Sequence, residues 1–373
     1  MKVLISGGAG FIGSNLAVAL SKRGDEVTIL DNLSPQIHGN NNAFNLHRDN
    51  KFRLIIGDVR DRDTWIEALE GQDAVVHLAA ETGTGQSMYQ IDRYVDINIR
   101  GTALLFDIIS NARHSLKKIV VASSRAIYGE GKYRCQDHGV VYPLGRSKTD
   151  MELGDFLVKC PKCGRNAEVL PTTEDSVIHP SSIYGITKQN QEQIGMNIGA
   201  ALGIPVVSLR YQNVYGPGQS LINPYTGIIS IFSTRIRASN EINIFEDGQE
   251  ARDFVFIDDV VCGTVAAIDL KSSGQHVVNI GSGIPISVIT VVQTLKEAFG
   301  SNVAVRISGN YRVGDIRNNF ADLTKARDLL GFEPKTYFRD GILRFVEWVN
   351  RQVQNSDSFD ASIIEMRSRG LLK

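Results

Sequence analysis

Cysteine is scarce in this sequence. Four residues in a chain of 373 are too few for a disulfide framework. Neither sign of charge is in excess, with 40 Lys plus Arg against 41 Asp plus Glu. That balance argues against the basic surface of a dedicated nucleic-acid binder. No apolar run approaches the ~20 residues that span a bilayer, so no membrane partner is expected. No signal-peptide pattern precedes the first apolar segment, and a cytoplasmic protein is expected. Internal repeats and low-complexity tracts are also missing. The chain is long enough to bury a large core and to divide it between two lobes.

Glycine, by contrast, is concentrated where it carries meaning. Lys2 to Ile5 is short and apolar, as a buried parallel strand is. Gly7, Gly8, Gly10 and Gly13 follow, and Ile12, Leu16, Ala19 and Leu20 recur at helical spacing. The pattern predicts strand, tight turn, helix. Gly7, Gly10, Phe11, Ile12 and Gly13 would let the backbone approach a phosphate, with the helix N-terminus aimed at it. A second strand, Glu26 to Leu30, ends at Asp31-Asn32. An acid there accepts from ribose hydroxyls and repels the extra phosphate of NADP, which favours NAD; a plain loop cap is the other reading. A third strand, Arg53 to Ile56, runs into Asp58-Val59, and Asp61 caps a helix starting near Arg62. A fourth, Ala74 to Leu78, ends in Ala79-Ala80, small enough to admit a flat cofactor. Thr82, Thr84 and Gln86 follow in a polar loop that by position borders nicotinamide and sugar, although loop chemistry alone explains them as well.

A fifth strand, Lys118 to Ala122, delivers Ser123-Ser124-Arg125-Ala126 at its carboxyl end. Residues 130–172 read as a polar, irregular insertion. It holds Cys135-x-x-His138 and Cys160-x-x-Cys163, two close pairs with the spacing of a tetrahedral structural zinc site. Reduced surface thiols beside an incidental histidine are the competing reading. Cys262 falls in an apolar helical pattern and is expected in the core. After the insertion, Tyr184 and Lys188 stand four apart, on one face of a helix running to about Leu202. An unperturbed tyrosine, with pKa near ~10, is a poor base. A neighbouring ammonium and the positive nicotinamide of NAD+ favour its phenolate.

The Gly7-x-x-Gly10-x-x-Gly13 turn, Asp31, Ser124 and Tyr184-x-x-x-Lys188 together resemble the short-chain dehydrogenase/reductase superfamily, in its extended, nucleotide-sugar-modifying branch. The resemblance covers roughly 1–129 and 174–350. It implies an α/β fold, a Rossmann-type doubly wound parallel sheet with a smaller C-terminal substrate-binding lobe. Residues 1–212 would form the NAD-binding domain, with 250–282 returning to it; 213–350 would be mostly the nucleotide-sugar lobe and 351–373 an unassigned tail. The resemblance further implies tightly bound NAD and catalysis by Ser124, Tyr184 and Lys188, with Tyr184 and Lys188 also touching the cofactor. Asp58 would contact adenine. Asn98, in Asn98-x-x-Gly101-Thr102, would serve the cofactor site as a buried support. Asn213, Arg252 and Arg317 would hold the diphosphate, although either arginine could equally be a surface ion pair. Helices at 94–112 and 184–202 would pair two subunits in a four-helix bundle, giving a homodimer.

The reaction class follows from another absence. Dehydratases of this branch place an acidic pair right after the serine, where Arg125-Ala126 stand here, and its decarboxylases carry a nearby Glu that is also missing. A reductase that exchanges cofactor often prefers NADPH, which Asp31 disfavours. The remaining expectation is a 4-epimerase acting on a dTDP- or UDP-linked sugar. The Glu81–Met88 run, the Ser123–Gly131 run and the Cys-Pro-x-Cys insertion most resemble bacterial dTDP-L-rhamnose 4-epimerase-type proteins. UDP-hexose or UDP-uronate 4-epimerases are the alternatives, and Arg125 could pair with a uronate carboxylate. A dinucleotide sensor without chemistry would not need Ser124, Tyr184 and Lys188 together.

Overall fold

Seven short segments form one parallel sheet: β1 (Lys2–Ser6), β2 (Glu26–Asp31), β3 (Phe52–Ile56), β4 (Ala74–His77), β5 (Lys118–Ser124), β6 (Val206–Tyr211) and β7 (His276–Ile280). The computed structural model describes residues 1–39, 52–225, 227–353 and 359–373. The strand order is β7-β6-β5-β4-β1-β2-β3, and every neighbouring pair is parallel. The winding reverses between β1 and β4, which opens a crevice at the carboxyl ends of those strands.

Alternation along the strands builds two core layers. Val3 and Ile5 of β1 join Val120 of β5 and pack with Leu16 and Leu20 of helix α1 (Phe11–Arg23). Leu4, Ile119 and Val121 face the other way, against Leu105, Phe106 and Ile109. Those three lie on the helix Gly101–Asn111, which packs against a long helix, Ile183–Leu202. Every residue of β5 is buried, as a central strand covered on both faces requires.

The first layer continues into the second lobe through Tyr215, Phe232, Phe254 and Phe345, so one core serves both. There Asn213–Tyr215 pairs with Ala251–Phe256, which also pairs with Pro285–Ser287 and Asn318–Asn319. The strand Ala251–Phe256 therefore belongs to the second lobe. The return to the large sheet begins with the helix Ile257–Asp269, which packs against α1.

Three local expectations need correction. The helix expected over 94–112 is a short helical turn, Ile91–Tyr94, a π-helical turn, Val95–Arg100, and then Gly101–Asn111. The insertion is not irregular. Tyr133–Cys135 pairs antiparallel with both Gly139–Val141 and Glu168–Val169, over five buried residues. Cys262 is exposed, because Val260 and Val261 occupy the buried face of its helix. The tail carries a helix, Phe359–Ser368, whose Phe359, Ile363 and Met366 pack on Ile231 and Phe245; residues 354–358 lie outside the described residues. Among the described residues no helix is long and apolar enough to cross a membrane.

Candidate active site

The turn after β1 leaves no room for a side chain at Gly7, Gly8 or Gly13. Gly7 has φ +71°, and a Cβ there would stand 2.8 Å from the Ala79 backbone nitrogen. A Cβ on Gly13 would stand 2.4 Å from the Gly7 carbonyl oxygen. Gly10 caps α1 without a side-chain hydrogen bond, so the first N–H groups of the helix stay free for a ligand. Gly7, Gly10, Phe11, Ile12 and Gly13 line a cleft of ≈ 500 Å³ together with Asp31, Asn32, Val59, Ala79 and Ala80. The Asp31 carboxylate accepts from Ala9 N at 3.0 Å and from Leu33 N at 2.9 Å. It braces the turn and also faces the cleft. Asp58 stands outside the lining. Hydrogen bonds from Arg60, and one from Asn32, hold its carboxyl well below the usual carboxylate range, at about 2. A glycine cradle, an uncapped helix start and an acid at the end of β2 fit a dinucleotide.

The reactive side chains meet in the same cleft. Ser124 ends β5, while Tyr184 and Lys188 project from the first turns of the helix Ile183–Leu202, and all three line the cleft. Ser182 caps that helix by accepting from Gly185 N at 3.1 Å. Burial pushes the Tyr184 phenol up, while a hydrogen bond with Ser124 and the charge of Arg125 pull it down. Burial brings Lys188 down to about 7. The charge of Arg125 favours the Tyr184 phenolate, and Lys188 Nζ donates to Gln191 Oε1 at 2.6 Å.

Behind Lys188 lies a network that no motif announces. Gln191 Nε2 donates to Thr102 Oγ1 at 2.7 Å, and Thr102 donates to the Asn98 carbonyl at 2.6 Å. His77 joins Thr102 and Ser6 at 2.9 and 2.7 Å, and burial holds it neutral, near 3. The available sequence signal was the one-turn spacing of Gln191 from Lys188. Asn98 is buried and does not line the cleft. Its amide accepts from Glu81 N at 2.7 Å and donates to Thr187 Oγ1 at 2.9 Å, tying the segment at Glu81 to the helix that carries Tyr184 and Lys188.

On the sugar side, Thr82, Thr84, Arg125 and Asn213 line the cleft, and Gln86, Arg252 and Arg317 do not. Gln86 is buried and bonds Gln36 at 2.9 Å. Arg252 donates to Asp315 at 2.9 Å and to the carbonyls of Ile316 and Arg317. Arg317 donates to Asp247 at 2.7 Å and to Glu246 at 2.9 Å. Arg125 differs: its Nε donates to Asn213 Oδ1 at 2.9 Å, and among the described residues it forms no ion pair. Tyr225, which no motif marked, lines the far wall and donates to Glu365 at 2.6 Å. The acids among the described lining residues are Asp31 and Glu81, and Glu81 is paired with Arg93 at 2.7 Å.

Away from the cleft, one ligand atom from each of Cys135, His138, Cys160 and Cys163 falls within a span of 4.8 Å. All four cysteines of the chain are free thiols.

The model of the NAD dependent epimerase/dehydratase family matches residues 3–148 and 161–281. A dTDP-L-rhamnose 4-epimerase of Burkholderia thailandensis is 35% identical over 95% of this chain and 97% of its own. A UDP-glucuronate 4-epimerase of Thermodesulfobacterium geofontis is 30% identical over 94% of this chain and 97% of its own. A crystal structure of the UDP-glucuronic acid 4-epimerase from Bacillus cereus, in complex with UDP-glucuronic acid and NAD, superposes with a TM-score of 0.77 at 27% identity, covering 94% of this chain and 99% of that one.

Proposed function

The chain belongs to the NAD dependent epimerase/dehydratase family, and from that premise we propose that it is an NAD-dependent nucleotide-sugar 4-epimerase. The observation that carries this is the convergence of Ser124, Tyr184 and Lys188 on the cleft lined by the glycine turn and Asp31. The glycine turn and the start of α1 would hold the pyrophosphate, Asp31 a ribose and Lys188 the nicotinamide ribose. NAD+ supplies, when bound, a hydride acceptor at the sugar's C4 and then a hydride donor to the opposite face of the resulting ketone. Tyr184 Oη takes the proton of the 4-hydroxyl and later returns it. Ser124 orients the reacting oxygen by hydrogen bonding. Arg125, which stands near Tyr184, stabilises the phenolate form. Elimination of water would need an acid and a base at the sugar. Among the described lining residues the one acid on that side, Glu81, is engaged by Arg93, which supports epimerisation over dehydration.

The substrate we propose is dTDP-L-rhamnose or a related hexose. The likeness to the Burkholderia protein across nearly the whole chain supports this. A UDP-uronate is the second reading. It is favoured by the Arg125 guanidinium, which lines the cleft and has no ion-pair partner among the described residues. Asn213, Thr82 and Thr84 complete the proposed sugar and diphosphate contacts; Arg252 and Arg317 would reach them only by leaving their acids. A homodimer belongs to the same reading, supported by the exposed Val95 and Ile186 on the paired helices. So does a cytoplasmic location, in keeping with four free thiols. A structural zinc in the insertion is also part of it.

The test is incubation with a panel of dTDP- and UDP-sugars without added cofactor, followed by proton NMR. Interconversion of a 4-epimer pair is the expected outcome and names the substrate. A 4-keto-6-deoxy product would overturn the epimerase in favour of a dehydratase. No change after adding NAD+ would point to a sensor.

A further inference from the structure

We propose that a Zn²⁺ ion held by Cys135, His138, Cys160 and Cys163 pins the 138–160 loop, and that this loop positions the sugar half of the cleft through Arg146. The second part rests on the epimerase reading; the first does not.

The donor geometry supports the ion. Tetrahedral zinc with Zn–S near 2.3 Å and Zn–N near 2.1 Å implies S···S edges of about 3.8 Å and S···N edges of about 3.6 Å. Here Cys135 Sγ stands 3.7 Å from Cys163 Sγ, and His138 Nδ1 stands 3.5 Å from Cys135 Sγ and 3.7 Å from Cys160 Sγ. A disulfide would need sulfurs at about 2.05 Å. The Lys162 N–H, at 3.4 Å from Cys160 Sγ, is placed to donate to a thiolate. Four protein ligands leave no open position, so the ion is structural. The insertion also needs such a staple. Its own core is five residues, two of them ligands, far less than a small unit needs to hold its shape.

The loop between the two ligand pairs makes contact well away from the metal. Arg146, whose side chain is 2% exposed, donates to Glu246 Oε2 at 2.6 Å and to the Asp315 carbonyl at 3.0 Å, and lies 3.4 Å from Glu130. Met151 and Phe156 pack on Tyr311. Glu246 and Asp315 also anchor Arg317 and Arg252. Arg125, in the cleft, feels the charges of Arg252, Asp315 and Glu130. With His138 and Cys160 both on the metal, the ends of the loop are fixed and less chain entropy opposes docking of Arg146. Without the ion, Arg146 leaves its site more readily, and Glu130 and Glu246 lose a buried counter-charge. NAD contacts lie at the other end of the cleft and are untouched.

The experiment compares three proteins, each purified without added metal and dialysed: wild type, the double variant Cys160→Ser/Cys163→Ser, and Arg146→Gln. Zinc is measured by mass spectrometry, NAD by release on denaturation, and KM and kcat with the active sugar. Wild type is expected to hold about one zinc per chain, as a closed four-ligand site does. The double variant is expected to lose zinc and keep NAD, with KM raised about tenfold and kcat within about threefold, the mark of lost binding without lost chemistry. Arg146→Gln is expected to keep zinc and NAD and to show the same rise in KM. Less than about half a zinc per wild-type chain overturns the metal site. Unchanged KM in Arg146→Gln overturns the coupling, even if the double variant does not fold. Zinc content, and chelator-induced protease cleavage within 138–160, are read without substrate. A failed epimerase reading therefore leaves the metal assignment separately decided.

Discussion

The two halves of the cleft are built on different principles. In the proposed cofactor half the backbone would do the recognition, through Gly7, Gly13 and the open start of α1. In the proposed sugar half the lining consists of side chains brought from distant parts of the chain: Arg125 after β5, Asn213 after β6, and Tyr225 beyond. Arg125 and Arg317 make the contrast sharp. Both are arginines suited to an anion. Arg317 has its acids built in, Asp247 and Glu246, whereas Arg125 lines the cleft with no ion-pair partner among the described residues. A guanidinium's surroundings, rather than its presence, decide whether it is left free for substrate.

The largest effect should break the chemistry while sparing the cofactor half. Tyr184→Phe removes the proton acceptor alone, and turnover should fall about 10³-fold or more, in the upper range for a lost acid–base group. NAD released on denaturation should stay at the wild-type level. Loss of NAD in parallel would mean that Tyr184 organises the cofactor and not the proton.

Arg317→Met probes the arginine that is already spoken for. It leaves the buried Glu246 with less counter-charge, and a broken buried pair costs about 3 kcal/mol or more. A clear drop in thermal midpoint is expected. An unchanged midpoint with a raised KM would instead place Arg317 on the diphosphate.

Arg125→Gln tests the free one. Taking a cation away from Tyr184 raises its pKa further, so less phenolate is present at a given pH. The acid limb of the kcat profile should move to higher pH, by about one unit or less. KM should rise about tenfold or more for a uronate and less for a neutral sugar, because only the carboxylate loses an ion pair. Equal losses for both sugars would remove the case for carboxylate recognition.

The same division explains what the sequence revealed. Strand, glycine turn and helix were legible at residues 2–22 because each demands a residue type at a fixed spacing. So were Ser124 at the end of β5 and the Tyr184–Lys188 pair. For Arg252 and Arg317 the two readings stayed open, because a motif records that an arginine is there and not which acid lies beside it. Their acids, Asp315, Glu246 and Asp247, come from turns with no periodicity to read. Gln191 and His77 stayed hidden because polar residues on buried faces look like lapses in an apolar pattern. The Cys/His spacing was readable, but the reach of Arg146 into the second lobe is a tertiary fact.

The smallest effect tests how far the sugar half extends. The helix Phe359–Ser368 packs on Ile231 and Phe245, and a Cβ on Gly85 would stand 3.4 Å from Met366 Sδ. Arg369 lies over the Tyr89 ring at 4.2 Å. The helix thus touches both lobes, and its Glu365 holds the hydroxyl of Tyr225, whose ring lines the cleft. Glu365→Gln keeps shape and an acceptor but removes the charge. A charge-assisted bond is worth about 1.5–3 kcal/mol, and partial exposure of Glu365 lowers that. KM should therefore rise about threefold, with kcat and NAD content unchanged. If KM holds in Glu365→Gln while removal of 359–373 lowers only the thermal midpoint, the terminal helix is packing for the second lobe and Tyr225 is placed by its own loop.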